Sequence, residues 1–372
     1  MIGNSLRKLG DLGQSLWLDY IRRDLITGDR LQQLIEEDGL RGMTSNPSIF
    51  EKAITGSQLY DDDILVMGSE GKDRQEIYEI ISQRDVREAA DVFRHLYMKT
   101  DAKDGYVSLE VNPHLAYDTS ATIKEARRLW AALNRPNVFI KVPATIAGLE
   151  PIRQLISEGI NVNVTLLFGL PRYRQVAEEY ITGLEERFAR GEALNSVSSV
   201  ASFFVSRIDT MVDPILEKII EDGGENAQLA KKAYGQVAIA SAKAAYQIYK
   251  NIYNSDRFKK LAAQGARPQR LLWASTGTKN PNYSDVKYVE ELIGPDTVNT
   301  IPFATLDAYR NHGDPMVRLE NDIDEASKIL ERLPDLGIDI DKITQQLEDD
   351  GVENFSELFD KLMVTLGDTY GE

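Results

Sequence analysis

The sequence predicts an α/β fold, a (β/α)8 barrel of the TIM type with additional C-terminal helices, and three observations carry that expectation. Short segments rich in β-branched and aromatic residues alternate with amphipathic stretches for most of the chain, the pattern of βαβ units with parallel strands. The segments number eight, enough to close a barrel rather than leave an open sheet. The 372 residues exceed the ~250 of a common single barrel, which leaves room for an acidic tail of helical pattern.

Strands are expected at residues 16–21, 42–45, 106–111, 138–142, 161–166, 198–205, 270–275 and 298–302, and amphipathic helices at 74–99, 121–133, 171–189 and 227–253. Thr119 and Ser120 are the caps expected for the helix after the third strand, with Glu125 in its first turns. Pro171 stands where a first-turn proline is tolerated. Beyond Arg310 the pattern changes to acidic helices at 319–330, 340–348 and 355–366. No Pro/Ser-rich linker intervenes. Residues 1–318 are therefore read as the barrel and 319–372 as a helical extension packed on it within one domain.

Composition narrows the function classes. Hydrophobic residues make up 42% and charged residues 27%, the balance of a globular protein with ample core. The absence of cysteine excludes disulfides, thiolate metal sites and cysteine nucleophiles. No apolar run approaches the ~20 residues needed to cross a bilayer, and none near the N-terminus suits a signal peptide, so a cytoplasmic protein without a membrane partner is expected. A net charge of −16 repels polyanions and argues against nucleic-acid binding. Small phosphorylated substrates are still allowed, because bulk charge is screened beyond ~8 Å and a few local cations suffice.

Familiar cofactor motifs fail. No G-x-G-x-x-G follows a strand, and the segment GSEGKD at residues 68–73 has the wrong glycine spacing for a phosphate loop, with Asp73 where a magnesium-binding hydroxyl is needed. It reads as a surface turn. His95, His114 and His312 show no i, i+4 pairing, so no zinc site is expected; His114, after the third strand, reads as structural. No G-x-S-x-G elbow supports a hydrolase triad. Neither cofactor nor metal is expected.

What remains is a set of polar residues within strands. Lys141 sits amid the apolar strand VFIKVPAT, where burial disfavours the ammonium form, and only the neutral amine attacks a carbonyl. Taken alone, that lysine is equally well read as pairing with a carboxylate at the strand mouth. Neighbouring strands shift the balance. Asn163 and Thr165 are two apart and face the same side. Glu110 lies in an apolar run where an unpaired carboxylate is costly, and Asp19 closes the first strand. Polar groups at corresponding ends of consecutive barrel strands are functional-site candidates.

These residues lie in recognisable runs. DGLRGMTSNPSIF at residues 38–50 resembles the N-terminal signature of the transaldolases, and VFIKVPATIAGLEPI at 138–152 resembles their active-site lysine signature. GQSLWLDYI, SLEVNP, INVNVTLLF and VASFFVSRID extend the resemblance over roughly residues 10 to 310 in family order. The length and acidic tail look like the longer bacterial branch.

The resemblance implies a Schiff-base transferase of the non-oxidative pentose phosphate pathway. It would move a dihydroxyacetone unit from sedoheptulose 7-phosphate or fructose 6-phosphate to glyceraldehyde 3-phosphate or erythrose 4-phosphate, without a cofactor. Lys141 would be the nucleophile, and Glu110 would shuttle protons through a water held with Thr165. Asp19 would take the C4 hydroxyl proton as the carbon–carbon bond breaks. Asn46 and Asn163 would hold the hydroxyls of the three-carbon unit. Ser202 and Arg207 match the family's phosphate-end serine and arginine, with an ion pair between Arg207 and Asp209 or Asp213 as the rival reading. The family's second cation follows the seventh strand in an A-S-F-R segment; here WASTGTKNP keeps Ser275 and has no arginine, so Lys279, with Thr276 and Thr278 as further donors, is the candidate. Fructose-6-phosphate aldolases of the same superfamily carry glutamine and tyrosine where this chain has Glu110 and Phe204, the transaldolase pattern. Many members dimerise, so a homodimer is open. A catalytically silent barrel would have lost one of Lys141, Glu110 or Asp19, and all three are present.

Overall fold

A computed structural model describes residues 4–370 and arranges eight parallel strands in chain order around a closed barrel. They are β1 (Gln14–Asp19), β2 (Gly42–Thr44), β3 (Tyr106–Glu110), β4 (Val138–Pro143), β5 (Val162–Leu167), β6 (Ser199–Phe204), β7 (Arg270–Ala274) and β8 (Thr297–Ile301). Closure comes from β8 pairing with β1, from Gln14 opposite Thr297 to Leu18 opposite Ile301. The expected fold class is the observed one.

The largest strand-boundary difference is at β1, which starts at Gln14 and ends at Asp19 rather than Ile21. Gln14 is a polar residue inside the sheet because its amide is satisfied there, donating to Leu292 O at 2.7 Å and Thr297 Oγ1 at 3.0 Å. At Gly42 a Cβ would meet the Trp17 indole at 2.6 Å. Glycine is what lets Trp17 lie inside the barrel beside β2.

The expected helix at 227–253 is two helices, Ala227–Ala233 and Val237–Tyr253. Gly235 between them has φ 66°, and its amide is caught by Asp213 Oδ1 at 2.9 Å. The cap after β3 is Asp118, which accepts from Ala121 N at 2.9 Å, rather than Thr119 or Ser120, which fall inside the first turn. Pro171 does lie in the first turn of Leu170–Ala189. Residues 68–73 form the turn between two helices: Gly71 has φ 78°, and Asp73 opens Arg74–Lys99 with a capping box. His114 is exposed and meets Asp360 at 2.8 Å.

At the C-terminal end Ile323–Arg332 is followed by one continuous helix, Ile340–Tyr370, where the sequence suggested two. Asp349–Gly351 reads as a break, yet the helix runs through it and passes close over β5, where a Cβ on Gly351 would come within 3.0 Å of the Leu166 side chain. This helix is tied down along its length. Arg172 and Glu348 form a nearly buried ion pair at 3.0 Å, Phe359 meets Tyr78 edge-on with centroids 5.5 Å apart, and Lys361 pairs with Glu51 at 2.7 Å.

Two cores hold the molecule. The larger lies between strands and helices, and the smaller fills the barrel with Trp17, Tyr106, Phe139, Val200, Leu272 and Val298. Tyr106 and Phe139 stack at 4.3 Å and Trp17 and Phe139 at 6.0 Å. At the N-terminal end of the barrel Arg270 donates to Ser15 Oγ at 2.8 Å and Asp104 at 3.0 Å. The barrel is therefore blocked at that end and open at the ends of its strands. No helix among the described residues is long and apolar enough to cross a membrane.

Candidate active site

Strand register brings the key residues together. Lys141 lies opposite Glu110 on β3 and opposite Asn163 on β5, so the three form one layer across neighbouring strands. The Lys141 Nζ donates to Glu110 Oε2 at 2.9 Å and to the Ser45 carbonyl at 3.0 Å, with the Lys141 and Glu110 side chains only 6% and 4% exposed. Burial pushes the Glu110 carboxyl above its ordinary range, and the Lys141 charge pulls it back. Such a pair is costly to bury and strongly destabilising to break. Its second carboxylate oxygen, Oε1, has no protein partner, and neither does the buried hydroxyl of Thr165.

β5 is irregular at this point. Its register with β6 shifts between Val164 and Leu167, and Leu166 has φ 56°. A non-glycine residue there costs on the order of 1–2 kcal/mol, and bulges of this kind re-aim side chains near active sites. Thr165, within the shift, borders the cavity at the strand ends.

That cavity, ≈ 480 Å³ in volume, is bordered by every predicted site residue except Glu110 and Asn163. Glu110 reaches it through Lys141. Asn163 is fully buried, accepting from Ser202 Oγ at 2.6 Å and donating to Ser108 Oγ at 3.1 Å. Asp19 ends β1 and accepts from Thr44 Oγ1 at 2.6 Å, and Thr44 also meets Thr300 Oγ1 at 2.7 Å. Burial pushes the Asp19 carboxyl up; the Thr44 bond and then the charges of Lys141, Lys279 and Lys52 offset this. Asn46 caps the helix Pro47–Thr55, accepting from Ile49 N at 3.0 Å, with Pro47 in the first turn. The T-S-N-P run is thus a strand end, a cap and a helix start.

Further cations border the cavity. Arg207 begins the helix after β6, where Phe204 also borders the cavity, and Lys279 lies in the loop after β7. Ser275 in that loop has φ 54°, with its hydroxyl 3.1 Å from Ser206 Oγ. The rival pairing of Arg207 is not formed: Asp209 accepts from Tyr288 Oη and Ala238 N, both at 2.8 Å, and Asp213 from Tyr283 Oη at 2.7 Å. Thr276 and Thr278 are committed elsewhere, to Asn299 Oδ1 at 2.9 Å and Ser284 O at 2.8 Å. Burial pushes the Lys279 ammonium below its ordinary range, the charges of Arg207 and Lys52 adding to that effect.

Sequence reasoning missed Lys52. With Ser48 and Ile49 it lies on one face of the Pro47–Thr55 helix, at i, i+1 and i+4, and all three border the cavity; that spacing was a usable signal. Among the described residues none of Arg207, Lys279 and Lys52 forms an ion pair. It also missed Asn354, Phe355 and Leu358, which reach the cavity from the C-terminal helix. No group of three or more metal-binding side chains occurs among the described residues.

Residues 16–366 match the model of the transaldolase/fructose-6-phosphate aldolase family. The chain belongs to that family. A transaldolase of Trichodesmium erythraeum (strain IMS101) is 47% identical over 98% of this chain and 97% of its own length. A transaldolase of Thiobacillus denitrificans is 46% identical over 98% of this chain and 100% of its own, and transaldolase 2 of Nostoc sp. is 47% identical over 98% and 97%. Within the transaldolase/aldolase family, relatives of this name and extent support transaldolase activity, a transferase reaction. The likeness runs past the barrel into the C-terminal helix.

Proposed function

We propose that the chain carries dihydroxyacetone from a ketose phosphate, sedoheptulose 7-phosphate or fructose 6-phosphate, to an aldose phosphate through a Schiff base on Lys141. The observation that carries this reading is the buried Lys141–Glu110 pair beside a cavity that Arg207, Lys279 and Lys52 also border. A ketose phosphate has a group for each, with its carbonyl near one end and its phosphate at the other.

Transfer of a proton from Lys141 to Glu110 frees the amine to attack the ketose carbonyl. Glu110 Oε1 and Thr165 Oγ1, which lack protein partners, are free to hold the water that is lost and regained as the imine forms and hydrolyses. Asp19 takes the proton of the C4 hydroxyl as the C3–C4 bond breaks, and the electron pair passes into the protonated imine to leave an enamine. Asn46 holds the hydroxyls of the three-carbon unit, while Asn163, buried behind the cavity wall, fixes Ser202 on it, and Phe204 packs beside them. Arg207, with Ser275 and Lys279, takes the phosphate. The iminium is the electron sink, so the chemistry requires no cofactor or metal. The same proposal carries a cytoplasmic enzyme that binds neither nucleic acid nor membrane and is free to dimerise. Residues 319–372 belong in it to the domain of residues 1–318.

Borohydride reduction in fructose 6-phosphate is expected to fix a dihydroxyacetone-sized mass on the peptide that contains Lys141. No adduct, or one on Lys52 or Lys279, would overturn the assignment. Release of free dihydroxyacetone at full rate without erythrose 4-phosphate would mark an aldolase instead.

Lys52 adds a further cation to the phosphate end. Lys52→Ala is expected to raise KM for phosphorylated substrates roughly tenfold, the equivalent of ~1.4 kcal/mol, with little change in kcat. The difference should shrink in high salt because the side chain is exposed. An unchanged KM at low salt would remove Lys52 from the substrate site.

A further inference from the structure

We propose that the C-terminal helix Ile340–Tyr370 forms a working wall of the active site, in which Phe355 keeps bulk water from the enamine and so favours transfer over hydrolytic loss. The inference rests on the Schiff-base reading above. Asn354, Phe355 and Leu358 reach the cavity from one helix face, at i, i+1 and i+4. The Lys141 Nζ lies 5.9 Å from the centre of the Phe355 ring, and Phe355 is only 8% exposed although the cavity is open.

Tyr20, Phe204 and Phe303 also border the cavity, but among the described residues Phe355 is the ring that lies over the Lys141 amine, amid polar groups such as Asp19, Thr165, Ser202 and Asn46. A helix that only covered the strand ends for stability would have no need to direct an apolar ring at a buried amine. Its position is also fixed: Glu348 is held by Arg172 before the wall, and Phe359 and Lys361 are held by Tyr78 and Glu51 after it. Gly351 packs against Leu166, the residue that follows Thr165, and so sets the depth of the helix over β5.

The reaction supplies the reason for such a wall. After the first aldose leaves, the enamine on Lys141 must wait for the acceptor. It is lost if its nucleophilic carbon takes a proton from water. The resulting iminium then adds water at its carbon, and the C–N bond breaks with its electron pair returning to nitrogen. Dihydroxyacetone and the protonated lysine are the products. The hydrolytic water of the productive cycle belongs to the Glu110 and Thr165 side; the wall covers the approach from the helix side. A ring near the nitrogen also favours its positive charge while the iminium persists.

The test measures free dihydroxyacetone released from fructose 6-phosphate without acceptor, divided by the transfer rate with erythrose 4-phosphate. Phe355→Ala is expected to raise this ratio roughly tenfold, and Phe355→Leu by a smaller factor, with the borohydride adduct on Lys141 retained in both. Phe359→Leu, on the same helix against Tyr78, is expected to lower the melting temperature and leave the ratio unchanged. A ratio that stays at the wild-type value in Phe355→Leu, or that rises equally in Phe359→Leu, would overturn the proposal while leaving the Schiff base standing. Failure of the wild-type enzyme to form an adduct would instead overturn the Schiff-base reading beneath it. Should Phe355→Ala not fold, the two leucine variants decide the matter.

Discussion

Lys141→Met is expected to lower transfer by at least about four orders of magnitude, as removal of a covalent nucleophile does. Methionine nearly conserves the volume, so the loss would not reflect a cavity. Lys52 and Lys279 border the same cavity, but Glu110 is bonded to Lys141 and to neither of them, and no adduct should form on either. The same variant has a signature in stability. Glu110 is already raised above its ordinary range by burial, and Lys141 is the charge that opposes this; without it the carboxyl rises further. A folded-state pKa above the unfolded one means that the folded chain holds a proton the unfolded chain releases, so stability falls as pH rises through that window. Melting temperatures measured from about pH 5 to about pH 8 should therefore fall more steeply in the variant than in the wild type. A parallel pair of curves would show that Lys141 does not compensate Glu110.

Asp19→Asn is expected to separate imine formation from bond cleavage. Asparagine can still accept from Thr44, whose bond to Asp19 is 2.6 Å, so the strand ends should stay in place. It cannot take the C4 hydroxyl proton, and removal of a general base of this kind costs about 10²–10⁴-fold. The imine should form and stall before the carbon–carbon bond breaks. Borohydride trapping would then leave a full hexose phosphate on Lys141 in place of the three-carbon unit. A three-carbon adduct formed at the wild-type rate would take Asp19 out of the cleavage step.

Much of the barrel was legible because alternation of strand and helix is a local signal. Residues 74–99 were read with the boundaries the helix has. The splitting of 227–253 was not legible, since the pattern is helical on both sides and the break depends on Asp213 and Tyr283 meeting Gly235 in three dimensions. The Asp349–Gly351 segment failed in the opposite direction: local propensity suggests an end, and the helix instead continues through it, packed close to Leu166. In the site, Glu110 and Lys141 stood out as charges in apolar strands. Asn354 and Phe355 are ordinary residues of an amphipathic helix, and nothing in their neighbourhood indicates that this face lies over a barrel mouth.

The floor of Trp17, Tyr106 and Phe139, closed below by Arg270 and Asp104, leaves the mouth at the strand ends as the way in among the described residues. Donor, departing aldose and incoming acceptor must use it in turn, so the first product has to leave before the second substrate can enter. The rate law that follows is double displacement, with parallel lines in reciprocal plots. On the proposed Schiff-base reading both sugars compete for the free enzyme, and an excess of acceptor is expected to slow transfer.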